Sequence, residues 1–500
     1  MEYKIFLGLI GVAIYMALTI IIGWWASKRV KNLADYIVAG RRLGLALVVG
    51  TVLATWFGGG TVLGGSSMAY IFGLRGVIMD PIGAGVCVIL FGLFFASILR
   101  KLRYLTIADF FRVRYGRTME ILSTIVNIIA YMGWLGALLV AFSSVFQVLL
   151  GLTFEQGVWL GTIVTIIYTF LGGMWSVTLT DFIQMVLLTV GMLFMIPYVA
   201  QAAGGWGVIA EKISLDNYSI LPGPNWGYLG YIGLFGFMFY LSSWLVQGIG
   251  ALSCQDLVQR GLSAKDEKTA RIGSIIAGIG YITLGLVPAL IGIWGRLVVP
   301  DIENPDLIIP TLAVKVLPTP IFVIFAVGLL AAIMSSADSA LIIPPSMIAQ
   351  NLVPMIRPKV REKVKLLLAR ILVPIIGVVS LLIALYAATI YFLMNLSWEL
   401  ILMVQGIPFI LGLYWKKANR SGALACVAVN LAVWVTLIFM TLPYTLEVEE
   451  GVFEWAIWDS IYIAAVPALA LGIITFIIVS LLTQKRDPPR PLLDIEGKPI

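Results

Sequence analysis

Apolar residues fall in long blocks separated by short polar stretches. A block of roughly 20 apolar residues is what a helix needs to cross a hydrocarbon layer. Thirteen blocks are predicted as spans: 5–25, 43–71, 76–98, 119–150, 156–175, 177–202, 229–252, 271–298, 319–347, 366–387, 389–414, 422–443 and 455–482. The gaps between them are loops such as 203–228, too short for a water-soluble domain. The expectation is an all-α polytopic membrane protein with a single membrane domain over 1–500.

Two blocks break the smooth pattern. The second reads GTVLATWFGGGTVLGGSSMAY, with Gly58, Gly59 and Gly60 at its centre. Each glycine costs a helix about 1 kcal/mol relative to alanine. One reading is an unwound stretch, tolerated at membrane depth only where protein or a cavity covers it. The other is a close helix crossing on small residues. The seventh block reads GLFGFMFYLSSWLVQGIGALSC, with Ser242, Ser243, Gln247, Gly248 and Gly250 inside it. Interrupted blocks two and seven lie five spans apart, so they run in opposite directions. That spacing points to inverted repeats with a binding site at the midplane. The repeats are expected over 43–202 and 229–414. Blocks 5–25 and 422–482 are peripheral, and 483–500 is a tail.

Composition agrees: 60% of residues are hydrophobic and only 12% charged, with a mean hydropathy of +1.01. The net charge of +7 suggests orientation rather than nucleic acid. With the N-terminus outside, 28 of the 33 Lys and Arg fall in the inner loops and the C-terminal tail. Lys4, Arg75, Lys212, Arg296 and Lys315 remain outside. This is the bias expected of cytoplasmic loops, here for a multi-pass protein of the cell membrane. The first block lacks a basic leader and a small-residue cleavage site, so it is read as a retained span. Cys87, Cys254 and Cys426 lie in or beside spans and imply no disulfide framework. The chain has no histidine, which removes Ser-His catalysis, HExxH metal sites and imidazole proton relays.

Candidate chemistry concentrates in the ninth block, at MSSADS. On a helix Ser335, Asp338 and Ser339 share one face, and Ser336 sits about 100° from Ser335. A carboxylate at the bilayer centre costs at least ~2.5–3.5 kcal/mol, so it is paired, protonated or bound to a cation. Hydroxyls and carbonyls are hard oxygen ligands suited to alkali cations. Two readings stand: a sodium site shared with a broken helix, or a hydrogen-bonded helix contact with a neutral Asp338. Asp181 and Gln184, one turn apart, begin the sixth block; Asp181 is either a ligand or an interfacial acid helped by the helix dipole. Asp80, before Pro81, is read as a helix-start residue.

Four stretches together resemble the sodium/solute symporter family: ADYIVAGRRLG (34–44), GGMWSVTLTDFIQ, CQDLVQRGLSAKDEKTARIG and AAIMSSADSAL, which cover 34 to about 350. The resemblance implies the LeuT-type five-plus-five inverted repeat. It also implies a sodium site made of the carbonyls of Ala54, Phe57 and Ala332 and the hydroxyls of Ser335 and Ser336. A second sodium, present in some members, implies Asp181, Ser335 and Ser339, with Asp338 standing where some members have serine. ATWFGGG and MSSADSA are most similar to the high-affinity choline transporter branch, which encloses a quaternary ammonium in aromatic rings. Trp56 and Trp134 match two cage positions. Cys254 replaces a further tryptophan and Ala84 stands at another aromatic position, so half the cage is missing. Ordinary helix packing is the other reading of the two tryptophans.

The expected activity is sodium-coupled import of a small organic solute by alternating access, with Na+ as coupling ion and no other cofactor. The expected pocket comprises Trp56, Gly58, Gly59, Gly60, Trp134, Trp244 and Gln247. A choline-like quaternary ammonium is the favoured solute, with amino acids, sugars and carboxylates as alternatives. Expected partners are the solute, Na+ and membrane lipid, without nucleic acid; the oligomeric state is open. A serine–aspartate intramembrane hydrolase is opposed by the missing histidine and by the lack of a second aspartate in a GxGD-type motif. A channel or transporter-like sensor is the remaining non-transport reading, although the 18 residues after Leu482 are short for an output domain.

Overall fold

The structure, a computed structural model, describes residues 2–386 and 390–499. Helix makes up 84% of it, without strands among the described residues. The principal helices are α1 (Glu2–Ser27), α2 (Leu45–Trp56), α3 (Ser66–Phe72), α4 (Arg117–Leu150), α5 (Phe154–Ala202), α6 (Gly233–Gly248), α7 (Gln255–Ser263), α8 (Glu267–Val298), α9 (Thr319–Met347), α10 (Glu362–Leu385), α11 (Ile390–Ile401), α12 (Arg420–Val448) and α13 (Phe453–Leu482). Ile10, Ile14, Leu18 and Ile21 form an exposed apolar stripe on α1, and Phe439 and Met440 do the same on α12. Hydrocarbon, not water, is the solvent for such faces, and helices satisfy their own backbone groups within it. The chain is a multi-pass membrane protein.

Among the described residues eleven helices are long and apolar enough to cross a membrane, against thirteen expected. Each predicted block is nevertheless largely helical over its described residues, and the difference has two sources. The run Gly60–Leu102 joins the outer part of the second block to the third. It doubles back where α3 stops at Gly73, whose φ of +68° is a conformation glycine adopts without strain. A Cβ there would stand 2.6 Å from the Asn217 carbonyl oxygen. The second source is α5, whose 49 residues carry blocks five and six. Within it Val177–Ala202 counts as a span and Phe154–Ile167 is a shorter apolar stretch. The loop expected between the fifth and sixth blocks is corrected to helix. The join expected between blocks ten and eleven, at 387–389, lies outside the described residues.

Both interruptions occur. α2 ends at Trp56, where Phe57 takes φ −77° and ψ 66° and leaves the helical region. Helical structure resumes at Gly59. The unwound point is thus Phe57–Gly58, the start of the glycine triplet. In block seven the polar residues Ser242, Ser243 and Gln247 remain helical, and the break comes later, over Ile249–Cys254.

The central helix is α9, buried without interruption from Gly328 to Met347. It packs on α5, α4, α1 and α2. Glycines allow the closest approaches: a Cβ on Gly328 would meet the Leu187 carbonyl at 2.8 Å. The tail folds back over the arginine-rich end of the bundle. There Tyr104 donates to the Leu493 carbonyl and Arg103 pairs with Glu496 at 2.9 Å.

Candidate functional site

The end of α2 leaves carbonyl groups without helical partners, and α9 meets them with hydroxyls. Ser335 Oγ lies 2.8 Å from the Ala54 carbonyl and 2.7 Å from that of Ala332. Ser336 Oγ lies 2.7 Å from the Thr55 carbonyl and 3.5 Å from that of Ala332. Each hydroxyl has one proton to donate, so oxygens are in surplus here. A Cβ on Gly58 would overlap Ser336 Oγ, which makes glycine a packing requirement at that position. Four expected residues, Ala54, Ala332, Ser335 and Ser336, therefore converge. Thr55 joins them unexpectedly. Phe57 was expected to offer its carbonyl; its ring packs edge-on against Tyr281, with centroids 6.5 Å apart.

The second expected set gathers around a residue that sequence reasoning missed. Arg260 was counted among loop charges, yet it is 1% exposed. Its Nε donates to the Thr51 carbonyl at 3.0 Å and one terminal nitrogen to the Asp256 carbonyl at 3.0 Å. The other terminal nitrogen donates to Ser339 Oγ at 2.7 Å and to Thr55 Oγ1. The same nitrogen stands 3.9 Å from Asp181 Oδ2, which also accepts from Thr51 Oγ1 at 2.6 Å. Asp181 Oδ1 is buried without a partner. Ser339 Oγ lies 3.1 Å from Asp338 Oδ1. Asp181, Asp338 and Ser339 are thus brought together with a guanidinium among them. The sequence signal was α7 itself, where Asp256 and Arg260 stand one turn apart.

Beside the α2 break lies a small cavity of about 20 Å³, room for roughly one water in this conformation. Trp56, Gly60, Trp134 and Gln247 line it as expected. Trp244 is half-buried and outside the lining. Gly58 and Gly59 are also outside it, Gly59 facing Ile333 and Ala141. Trp398, Tyr281 and Asp80 were not expected, and they change the character of the site. Trp398 stacks on Trp56 at 6.4 Å and 22°, and lies 5.2 Å from Trp134. Tyr281 stands edge-on to Trp56 at 6.1 Å. Cys254 and Ala84 are outside the lining, and Trp398 and Tyr281 add two aromatic walls to those of Trp56 and Trp134. Asp80 is 1% exposed and has left helical geometry, with φ −141° and ψ 121°. That extended backbone ahead of Pro81 fits its reading as a helix-start residue, and Asp80 in addition lines the cavity. Asp256 holds the wall from behind, accepting from Trp56 Nε1 at 2.5 Å and from the Tyr131 hydroxyl.

Comparison with known proteins places this architecture. Residues 36–429 match the sodium:solute symporter family. The chain is 28% identical over 459 residues to high-affinity choline transporter 1 of Caenorhabditis elegans, covering 85% of this chain and 77% of that one. It is 27% identical over 475 residues to the sodium/pantothenate symporter of Haemophilus influenzae, covering 92% and 93%. Its fold matches a sodium-coupled sialic acid symporter in a substrate-bound, outward-open state with a TM-score of 0.76 at 18% identity, over 94% of this chain and 97% of that one. The broken α2 and the broken segment between α6 and α7 are features of the LeuT-type fold, and the relatives are transporters rather than enzymes. The chain belongs to the sodium:solute symporter family and is a sodium-coupled transporter of a small solute.

Proposed function

We propose that this symporter imports a small organic cation of the choline class together with sodium. One observation carries the reading. The cavity is walled by Trp56, Trp134, Trp398 and Tyr281, contains one carboxylate, Asp80, and has no cationic side chain in its lining. Aromatic faces attract cations, and a buried carboxylate favours a positive partner. Pantothenate and sialic acid, named for two of the proteins this chain resembles, are anions that Asp80 would repel. Sugars and neutral solutes gain nothing from the charge.

Sodium is assigned to the carbonyls of Ala54 and Ala332 and the hydroxyls of Ser335 and Ser336, with Phe57 retained from the family pattern. Binding there ties α9 to the α2 break and orders the adjacent Trp56. Sodium and solute then favour the same state, so each raises the affinity of the other. One sodium crossing a 100 mV potential supplies about 2.3 kcal/mol. A second sodium at Asp181, Ser335, Asp338 and Ser339 is supported by the unpartnered Asp181 oxygen. The repeats 43–202 and 229–414 rock about the site, with the N-terminus outside and the tail cytoplasmic. Uptake of labelled choline into proteoliposomes, with and without an inward sodium gradient, tests the reading. Gradient-dependent accumulation is expected, and equal uptake under both conditions would rule it out.

A further inference from the structure

Asp80 sits in a cluster with too few protons. Thr61 Oγ1 lies 2.7 Å from Asp80 Oδ2, 2.5 Å from the Tyr281 hydroxyl and 3.0 Å from the Trp56 carbonyl. The Tyr281 hydroxyl lies 2.5 Å from Asp80 Oδ1 and 3.0 Å from the same Trp56 carbonyl. These are five close oxygen–oxygen pairs, and the two hydroxyls have one proton each. With Asp80 ionised at least three pairs lack a proton of their own, and with Asp80 protonated at least two do. No Lys or Arg forms an ion pair with Asp80 among the described residues. A buried carboxylate and a surplus of acceptors both call for a cation that donates hydrogen bonds. Asp80 and Tyr281 open onto the same cavity as the tryptophan walls, so that cation is the solute's own head group.

Building on the organic-cation reading, we infer that Asp80 and Tyr281, backed by Thr61 and the Trp56 carbonyl, receive the N–H of a protonated amine. The pocket then selects cations that keep at least one N–H over fully alkylated ammonium ions. A quaternary ammonium meets the aromatic walls equally well but brings no proton to the oxygen cluster. Hydrogen bonds to charged groups are strong enough to separate the two by about tenfold or more in affinity.

The test compares choline with N,N-dimethylethanolamine, which differs by one methyl exchanged for an N–H. Binding of each to the purified full-length protein in sodium is measured by calorimetry. The dimethyl compound is expected to bind about tenfold more tightly, with Asp80→Asn abolishing the preference and Thr61→Val or Tyr281→Phe reducing it. Equal or tighter binding of choline by the unmodified protein overturns the inference and leaves the organic-cation reading intact. Binding of neither compound overturns both. If Asp80→Asn preserves the preference and instead raises the sodium concentration needed, the cluster is an ion site and the inference fails.

Discussion

The hydroxyl of Ser336 lies 2.7 Å from the carbonyl of Thr55, a residue 281 positions earlier in the chain. That contact closes the gap between the central helix α9 and the unwound end of α2. If the serine is a sodium ligand, Ser336→Ala removes one oxygen, which also borders the cavity, and leaves its aromatic walls and Asp80 in place. The sodium concentration for half-maximal uptake should rise about tenfold, with solute affinity at saturating sodium nearly unchanged. Unaltered sodium dependence would remove Ser336 from the ligand set.

Gly58 faces the same hydroxyl. A methyl group there overlaps Ser336 Oγ and stands 3.2 Å from the Ala332 carbonyl. Overpacking of this kind costs about 1–3 kcal/mol. Gly58→Ala should lower the melting temperature and abolish sodium-driven uptake. The control is Gly44→Ala, since a Cβ at Gly44 meets nothing within 4 Å.

Arg260 is the buried positive charge beside Asp181 and Ser339. Removing one partner of a buried ionic group costs about 3–5 kcal/mol. Arg260→Ala should therefore unfold the protein at markedly lower temperature. Lysine lacks the planar fork that spans Thr51, Thr55, Asp256 and Ser339, so Arg260→Lys should rescue poorly. Adding Asp338→Asn to Arg260→Ala should recover part of the loss by removing a carboxylate left without its countercharge. Thermal unfolding of the three variants checks this.

Trp398 provides an aromatic wall between Trp56 and Trp134. Trp398→Ala should weaken binding of an organic cation by about tenfold and barely affect sodium binding in the absence of solute. Calorimetric titration separates the two effects.

Much of this was legible in the sequence because the signals were local. Apolar blocks announced the helices, the glycine triplet announced the break, and the paired serines announced the oxygens that meet it. What escaped was set by distant contacts. Tyr281 reaches Asp80 across 201 positions, and no local pattern ties either residue to a cavity. Trp398 sits in an apolar block where a tryptophan reads as lipid or core packing. Arg260 lies five residues before Lys265 in a charged stretch, and only the burial of α7 distinguishes it from its neighbours. The span count differed because a glycine turn and a long helix each merged two blocks that hydropathy separates.

One carboxylate, that of Asp256, grips both Trp56 and Tyr131 from the first turn of α7. The wall of the binding chamber is thus fastened to α7, the helix that follows the second break. In the rocking cycle proposed above, any displacement of α7 would pull on the indole of Trp56 and reshape the chamber in the same movement.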